Sequence, residues 1–336
     1  MQLLKKILAY RQIENYSGVD SKLTSLPKVK KNQYLILDES VTGDAPKDIL
    51  RLYLYGEAKR NEERYWKKYI AKLGHKWYPI ESITEHLITR IGQHFGFNIA
   101  NSHIVYIQGK VRFLSEHFHS RKQVLVHGAE ILSNYLNEQN TEFVDDIERI
   151  RKTKEVFDIE DLIDALKNVY PNNNAIIEGF ININLFDALI GNNDRHFYNW
   201  GIIQHIEGVH EPYFSPIYDT ARGLWWNTSE EIILSLHRNF KANQAKFDNY
   251  VYKNSLPKVG IKGHNSCNHF ELISYLNRIK LISEQSRLPL LNDTLLEACI
   301  HAIRSEFQDL ISYERMMMIE KVLRLRFSEL YTILHK

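Results

Sequence analysis

The chain has 336 residues, of which 44% are hydrophobic and 25% are charged. This is the composition of a globular protein, and the length is sufficient for one large core or two lobes. The 43 basic and 41 acidic residues leave a net charge of +2, so composition gives no indication of a nucleic-acid partner.

Cysteine usage and hydropathy indicate a cytoplasmic protein. Cys267 and Cys299 lie far apart without metal-ligand spacing, and we expect both to be reduced thiols. The N-terminal stretch MQLLKKILAYRQ lacks a sustained apolar core and a small-residue cleavage site, so it predicts no signal peptide. No apolar run is long enough for a membrane span. Export as an effector by another route is left open.

The first third of the chain is predicted to be mainly β. An amphipathic start predicts a short helix within residues 1–35, and residues 33–37 (QYLIL) predict a strand. The segment 52–72 predicts a β-hairpin that ends at Lys72, with Gly56 at its turn. A glycine there lets backbone amides approach phosphate, although a single glycine in a hairpin more often serves only the turn.

Residues 80–97 predict a helix, because apolar residues recur at helical spacing and Gly96 stands where the helix would stop. Glu85 lies beside the apolar stripe of this helix. Ser82, three residues before it, also fits a capping box, which is the structural alternative for Glu85. Two strand-like runs around Gly109 then predict a second hairpin.

The remainder of the chain is predicted to be mainly helical. Residues 175–190 are apolar nearly all round and predict a buried helix, and a strand pair is predicted near 201–217. We therefore predict an α+β protein with a two-lobed protein-kinase-like fold. The small β-rich N-lobe would comprise residues 1–118, and the larger α-rich C-lobe would comprise residues 119–336.

The polar loop after the buried helix has the composition of a metal-assisted phosphoryl-transfer site. Asp194, His196 and Asn199 lie within the run NDRHFYN, and Asp219 follows the next strand-like run. Mg²⁺ prefers a few hard oxygen ligands and leaves its other positions to water and phosphate. Each residue also has a structural explanation, since Asp and Asn shape turns and a histidine can pack in a core.

A phosphotransferase also needs a cation at the nucleotide phosphates and a carboxylate that holds it. Lys72 at a strand end and Glu85 on the next helix fit these roles. They precede Asp194, Asn199 and Asp219 in a consistent order. The ordered set indicates function more strongly than any one member does.

The segment LIGNNDRHFYNWGII, followed by PYFSPIYDTARG, resembles the C-terminal signature of HipA-like serine/threonine kinases, in which a D-x-H-x-x-N catalytic loop precedes a Y-D metal motif. The loop is also similar to the D-R-H-x-x-N loop of phosphatidylinositol 3-/4-kinases. Both families invert the H-x-D order of ordinary protein kinases. Gly56 to Lys59 is similar to the G-x-x-K of the phosphate loop, residues 69–72 to the strand with the ATP lysine, and residues 83–86 to the helix with its glutamate.

The resemblance implies ATP and Mg²⁺ as cofactors and a role for each candidate residue. Asp194 would be the catalytic base or hydroxyl-orienting group, and His196 would shape the catalytic loop. Asn199 and Asp219 would bind Mg²⁺. Phe113 to Phe118 (FLSEHF) lies where the family has its adenine-binding hinge. The residues implied to contact the nucleotide are Gly56, Lys59, Lys72 (held by Glu85), Glu116 and Phe118. No role follows for Arg195.

Two features depart from the family pattern. Only about 50 residues precede Gly56, which predicts a short form without the additional N-terminal subdomain of longer members and leaves an antitoxin partner open. In HipA toxins the autophosphorylated serine stands just before the phosphate loop. Here Leu52 to Tyr55 precede Gly56, and Ser40 and Thr42 are the nearest upstream hydroxyls in a predicted loop.

We therefore expect an ATP- and Mg²⁺-dependent kinase that phosphorylates a protein Ser or Thr, resembling HipA-type toxins that act on translation machinery. One alternative keeps the fold and changes the acceptor to a lipid or small molecule. Another is a pseudokinase-like module that binds nucleotide without turnover. A metal-dependent hydrolase is the fourth reading, and it would leave Lys72 and Glu85 without a role. No direct nucleic-acid binding is predicted.

Overall fold

The computed structural model describes residues 14–19, 25–39, 46–56 and 58–336. The helix predicted at the start of the chain lies outside the described residues, as do the hydroxyls of Ser40 and Thr42.

The N-terminal part of the chain forms an antiparallel sheet of five strands in the order β1-β2-β3-β5-β4. Its strands are β1 (Tyr34–Ile36), β2 (Lys47–Leu52), β3 (Lys67–Lys72), β4 (Ser102–Ile107) and β5 (Lys110–Glu116). Both predicted hairpins are present, but the first is displaced. Strand β2 begins at Lys47 and ends at Leu52, so the run LYLY lies mostly beyond it.

The register of the first hairpin determines which end of the sheet faces the site. Lys47 pairs with Lys72, and Leu52 pairs with Lys67. The residues that follow Leu52 therefore lie at the end of β3 opposite to Lys72. Five residue steps at about 3.3 Å separate the two ends by roughly 17 Å.

Helix α1 (Ile80–His94) packs against the sheet, and most of its residues are buried, including Glu85. The predicted capping box does not form, because the helix begins after Pro79 without a side-chain cap. Ser82 Oγ instead accepts a hydrogen bond from the backbone amide of Gly74 at 3.1 Å. Glu85 is thereby available for another partner.

The rest of the chain is mainly helical, with a second, three-stranded sheet in the order β6-β7-β8. These strands are β6 (Gln123–His127), β7 (Gly201–His205) and β8 (Tyr213–Phe214). The helices are α2 (Gly128–Tyr135), α3 (Glu142–Arg149), α4 (Thr153–Val156), α5 (Ile159–Val169), α6 (Asn174–Ile190), α7 (Glu230–Arg238), α8 (Gln244–Asn249), α9 (His269–Arg278), α10 (Glu284–Arg287), α11 (Asp293–Phe307) and α12 (Tyr313–Leu334). The expected α+β, two-lobed kinase-like fold is confirmed.

The buried helix α6 positions the loop of interest. Asn173 caps its start by accepting a hydrogen bond from the amide of Ile176 at 3.2 Å. Gly191 ends it at φ +70°, a conformation that glycine adopts without strain. Helix α6 packs against α9 and the long C-terminal helix α12. The catalytic-loop sequence therefore begins at a fixed point in the main core.

The main hydrophobic core includes α1, α6, α9, α11 and α12, and a smaller core covers the other side of the five-stranded sheet around Leu50, Tyr69 and Leu114. Cys267 and Cys299 are both unpaired and buried, as expected. Among the described residues, no helix combines the length and the apolar character that crossing a bilayer requires.

Candidate active site

Lys72, at the end of β3, joins two carboxylates from different parts of the fold. Its Nζ lies 2.7 Å from Glu85 Oε1 and 3.0 Å from Asp219 Oδ1. The Glu85 side chain is 4% exposed and that of Lys72 is 10% exposed. The predicted pairing of Lys72 with Glu85 is therefore present, and the same ammonium also holds Asp219.

The charges of this group stabilise one another. Burial alone would lower the pKa of Lys72, but Asp219 and Glu85 outweigh it and raise that pKa above its ordinary value. Burial would raise the pKa of Asp219, but Lys72 and Lys47 hold it well below its usual range. Asp219 is therefore ionised at neutral pH, which is the state that a metal ligand needs.

Lys47, the first residue of β2, is a functional candidate that the sequence analysis missed. Its Nζ lies 3.7 Å from Asp219 Oδ2, and its side chain is largely buried. The β2–β3 register places it directly opposite Lys72. A correct boundary for β2 would have revealed the pairing, because opposed residues of antiparallel strands lie side by side.

Arg195, to which no role was assigned from the sequence, holds the catalytic loop together. Its guanidinium donates to both carboxylate oxygens of Asp187 at 2.8 Å. It also donates to the backbone carbonyls of Asn199 and Tyr218, both at 2.7 Å. The bidentate pair with Asp187 fixes the loop to helix α6, because two parallel hydrogen bonds define an orientation. The hydrogen bond to the Tyr218 carbonyl ties the loop to the segment that carries Asp219.

Asp194 has a partly accessible carboxylate with two cationic neighbours. Arg222 Nε lies 3.0 Å from its Oδ2, and Lys258 Nζ lies 3.4 Å from its Oδ1. The side chain is 17% exposed, so a hydroxyl group can approach it. Arg222 belongs to the segment PYFSPIYDTARG, although its pairing with Asp194 was not predicted from the sequence, whereas Lys258 lies in a distant loop.

His196 takes part in the loop's internal hydrogen bonding. Its amide donates to the carbonyl of Asp194 at 2.9 Å, and its Nδ1 accepts from the amide of Tyr198 at 3.3 Å. Burial lowers the pKa of His196, which favours the neutral imidazole. These contacts make His196 part of the hydrogen-bond network within the loop.

Asn199 and Asp219 offer a donor set that fits Mg²⁺. Asn199 Nδ2 donates to the carbonyl of Asp194 at 2.7 Å, which leaves its Oδ1 as the remaining donor atom of the amide. The other ligand would be the ionised carboxylate of Asp219. Within the described ranges there is no group of three or more His, Cys, Asp or Glu that could hold a metal. Two protein oxygens with phosphate and water suit Mg²⁺, which is rarely enclosed by protein ligands alone.

The two expected hinge residues lie in the connection between the sheets. Glu116 is the last residue of β5, and its carboxylate contacts Lys67 Nζ at 3.5 Å and Asn101 Nδ2 at 3.3 Å. The ring of Phe118 lies 5.5 Å from that of Tyr218, which directly precedes Asp219. The ring of Phe118 therefore lies close to Asp219, whereas the carboxylate of Glu116 already contacts Lys67 and Asn101.

Gly56 and Lys59 are not brought to Lys72. Both follow Leu52, at the end of the hairpin that is remote from Lys72. The Lys59 side chain is exposed, and its Nζ lies 3.3 Å from Glu62 Oε1. The physical reason is the displaced strand: the chain that adjoins Lys72 is the one that enters β2 at Lys47. The structure therefore gives no support to a phosphate contact by Gly56 or Lys59.

The chain is similar to one protein family and to solved kinase-like structures. Residues 39–274 match the family described as HipA-like C-terminal domain. No protein in the curated set matches the chain. The Helicobacter pylori proinflammatory kinase CtkA has a similar crystal structure, with a TM-score of 0.70 and 16% identity over 92% of this chain and 97% of CtkA. HipA of Shewanella oneidensis MR-1, solved with HipB and operator DNA, gives a TM-score of 0.50 and 15% identity over 100% of this chain and 70% of HipA.

The two structural similarities, at low sequence identity, concern the fold. The family match spans well over half of the chain and includes Lys72, Glu85 and the loop from Asp194 to Asp219. The chain therefore belongs to the HipA-like family.

Proposed function

We propose that the protein is an ATP- and Mg²⁺-dependent kinase that transfers the γ-phosphoryl group to a Ser or Thr of a protein. One observation carries the proposal: Lys72 bridges Glu85 and Asp219, while Asp194 and Asn199 stand on one loop that Arg195 ties to the Asp219 segment. The site then combines a cation for the phosphates, two ligands for the metal and a carboxylate for the acceptor hydroxyl, which are the groups that phosphoryl transfer requires.

In the proposed reaction the acceptor hydroxyl is oriented by Asp194 and attacks the γ-phosphorus. The new bond joins the hydroxyl oxygen to phosphorus, and the bond to the β–γ bridging oxygen breaks, so that ADP leaves with the bond's electrons. The hydroxyl proton passes to Asp194 and from there to solvent. Lys258, 3.4 Å from Asp194, provides positive charge near the position of the transferred group.

Lys72 and Lys47 would bind the nucleotide phosphates, because both ammonium groups lie beside Asp219. Asn199 and Asp219 would hold Mg²⁺. When bound, the metal neutralises developing negative charge on the phosphate oxygens. Glu85 would keep the Lys72 ammonium group in position while that group also contacts the phosphates. Phe118 and Tyr218 would border the nucleotide from the connection between the two sheets.

The test is mass spectrometry of phosphosites after incubation with ATP and Mg²⁺, on the protein itself and on proteins of a cell extract. We expect new phospho-Ser or phospho-Thr sites with the wild type and none with Asp194→Ala. Labelled ATP with separate lipid and metabolite pools distinguishes the alternative acceptors. Transfer only to a lipid or metabolite would overturn the protein acceptor. Tight nucleotide binding without transfer to any pool would overturn the kinase assignment.

The biological setting is also part of the proposal. HipA of Shewanella oneidensis is described as part of a toxin–antitoxin system with HipB, and we extend a toxin-type action on translation machinery, a cytoplasmic location and an antitoxin partner to this chain. We further propose a boundary between the lobes at residues 118 and 119, within the connection from β5 to β6. Induced expression in a bacterial host should arrest growth with the wild type and leave growth normal with Asp194→Ala.

A further inference from the structure

A cavity of about 590 Å³ adjoins the start of the catalytic loop, and Asp194 itself is not among its lining residues. Its wall includes Gly191 and Asn193, which flank the start of the catalytic loop, and Arg222, whose Nε lies 3.0 Å from Asp194 Oδ2. Lys72, Glu85 and Asp219 do not line it. A group in this cavity can therefore contact Arg222, which holds the Asp194 carboxylate, without occupying the place where Lys72 and Asp219 meet.

The cavity has the dimensions of a binding site. Ligand sites in proteins typically enclose about 300–1,000 Å³. A volume of about 590 Å³ accommodates a few side chains of an extended segment, rather than a whole folded domain. Apolar surface is supplied by Trp226 and Leu236, and hydrogen-bonding groups by Asn227 and Asn254. This mixture suits a polypeptide, which presents both apolar and polar groups.

The charged residues that line the cavity are all cationic. Arg222 and Lys246 line it, and no Asp or Glu is among its described lining residues. Lys246 is exposed and makes no ion pair with the part of the chain that the structure describes. Lys258 adds a third cation at Asp194, whose own charge Arg222 and Lys258 offset. Such a site attracts an anionic group and repels a cationic one.

One wall of the cavity has an unusual backbone that its neighbours hold in place. Leu224 and Trp225 have φ values of +48° and +65°, in the left-handed region that residues with side chains rarely adopt. The amide of Trp225 donates to the Tyr250 hydroxyl at 2.6 Å, and their rings stack at 3.6 Å. Arg315 donates to the carbonyl of Trp225 at 3.2 Å. Backbone of this kind persists where the surroundings determine it, and it is concentrated at functional sites.

The same segment presents Trp226 together with a charge. The Arg222 guanidinium lies 5.2 Å from the centre of the Trp226 ring. The pair offers a flat apolar surface next to a fixed cation. A side chain with a short aliphatic part and a carboxylate matches both features.

We propose that this cavity binds the acceptor segment of a protein substrate, and that the accepted Ser or Thr has an acidic residue beside it. The hydroxyl lies at Asp194, the neighbouring carboxylate lies between Arg222 and Lys246, and the adjoining apolar atoms rest on Trp226. The inference rests on the proposed kinase function, because it assigns the acceptor side of that same site.

Binding of unreactive peptides tests the charge preference without any phosphoryl transfer. The probes are fluorescein-labelled decapeptides with Ala at the acceptor position and Glu, Ala or Lys on both sides of it, measured by anisotropy. We expect the Glu peptide to bind about 5-fold more tightly than the Ala peptide, which is the effect of one partly exposed charge pair. The Lys peptide should bind most weakly.

A matched pair of variants assigns the preference to the cavity. Lys246→Glu should remove the advantage of the Glu peptide. Lys241→Glu changes an exposed lysine nearby that does not line the cavity, and it should keep the advantage. Equal binding of the three peptides, or equal effects of the two variants, would overturn the proposal. So would tighter binding of a single-stranded oligonucleotide of matched charge than of the Glu peptide.

The corresponding Ser peptides separate this inference from the kinase proposal. With ATP, we expect Lys246→Glu to raise KM for the Glu-flanked Ser peptide about 5-fold with kcat little changed, and to leave nucleotide binding unchanged. Transfer to Ser peptides without an acidic preference contradicts the cavity assignment alone. A preference in binding without any transfer by the wild type contradicts the kinase function alone.

Discussion

The two carboxylates of the site are anchored in different parts of the molecule. Asp219 is held by Lys72 and Lys47, which both belong to the five-stranded sheet. Asp194 is held by Arg222 and Lys258, which both belong to the helical part of the chain. Asp219 therefore depends on how the sheet lies against the helices, whereas Asp194 is positioned within the helical part alone.

This difference separates the two substrates of the proposed reaction. The nucleotide side contains a contact between the sheet and the helical part, so that a change in either part alters it. The acceptor side is fixed by hydrogen bonds that do not involve the sheet. Variants on each side should therefore have distinct effects on stability and on the order of the catalytic loop.

The largest expected effect is on activity at the acceptor side. Asp194→Ala removes the group that orients the acceptor hydroxyl, and we expect phosphoryl transfer to fall by about 10³-fold. The fold should remain, because Arg222 and Lys258 are partly exposed and can be solvated. Radiolabel transfer and urea unfolding measure the two quantities. Asp164→Ala, at an exposed position of α5, is the control and should change neither.

At the nucleotide side, Lys72→Met leaves the buried carboxylate of Glu85 without its cation and leaves Asp219 with the longer contact to Lys47. We expect transfer to be lost and the free energy of unfolding to fall by about 3 kcal/mol. Lys67→Met, on the same strand with a more exposed and longer ion pair to Glu116, should cost at most about 1 kcal/mol.

Because Asp194 is anchored within the helical part alone, the loss of stability in Lys72→Met should not extend to the catalytic loop. Hydrogen exchange at the amides of His196 and Asn199 should be as slow in Lys72→Met as in the wild type, after correction for global stability. Rapid exchange at these amides would show that the loop of Asp194 depends on the sheet, and the distinction between the two sides would not hold.

Arg326→Met changes the helical part of the molecule and should affect the catalytic loop but not the five-stranded sheet. This guanidinium, fully buried in α12, donates to the carbonyls of Ala188 at 2.7 Å and Val251 at 2.8 Å. Its removal leaves two buried carbonyls without a partner, and we expect a loss of about 2 kcal/mol. Exchange in the catalytic loop should become faster, while the amides of β2 and β3 keep their protection. Arg324→Met, two residues away at an exposed pair with Glu297, is the control.

The smallest effect concerns pH, and its sign should differ between the sides. Burial raises the pKa of Glu85 to about 7, although Lys72 opposes the shift. The stability from this carboxyl is full below its ordinary pKa of 4.5 and is lost as pH rises through about 7. Burial lowers the pKa of His196 below 6.5, so its contribution is full above pH 6.5 and is lost as pH falls.

Urea unfolding of the wild type, Glu85→Gln and His196→Gln between pH 5 and 8 measures both terms. The difference between wild type and Glu85→Gln should decrease as pH rises, and that between wild type and His196→Gln should increase. The two differences should therefore change with pH in opposite directions. Slopes of the same sign would contradict the assigned directions.

Much of the fold, and the site residues that lie close together in the chain, could be predicted from the sequence. Periodicity gave α1 and the buried helix α6, and the run NDRHFYN placed Asp194, His196 and Asn199 on one loop. The pairing of Lys72 with Glu85 is also local in character, since a strand end and the next helix adjoin one another. These features depend on short stretches of chain, which sequence patterns describe well.

The missing part depends on register and on contacts between distant segments. The aromatic run LYLY favoured a strand at residues 52–55, but β2 is the run KDILRL, in which Asp48 is buried and paired with Arg112 at 2.7 Å. Strand propensity gives no indication of such a buried ion pair. The displacement moved the expected phosphate contact to Gly56 and concealed Lys47. Lys258 reaches Asp194 only through the folded chain.

The hydrogen bond from Arg326 to the end of helix α6, which leads into the catalytic loop, has a consequence for the newly made protein. Arg326 follows Ala188 by 138 residues. At synthesis rates of about 5–20 residues per second, roughly 7–28 s pass between the synthesis of Ala188 and that of Arg326. A ribosome-bound nascent chain therefore carries every residue of the motif while the loop still lacks this support. We expect phosphoryl transfer to begin only after helix α12 has been translated, so that chains without this helix stay inert.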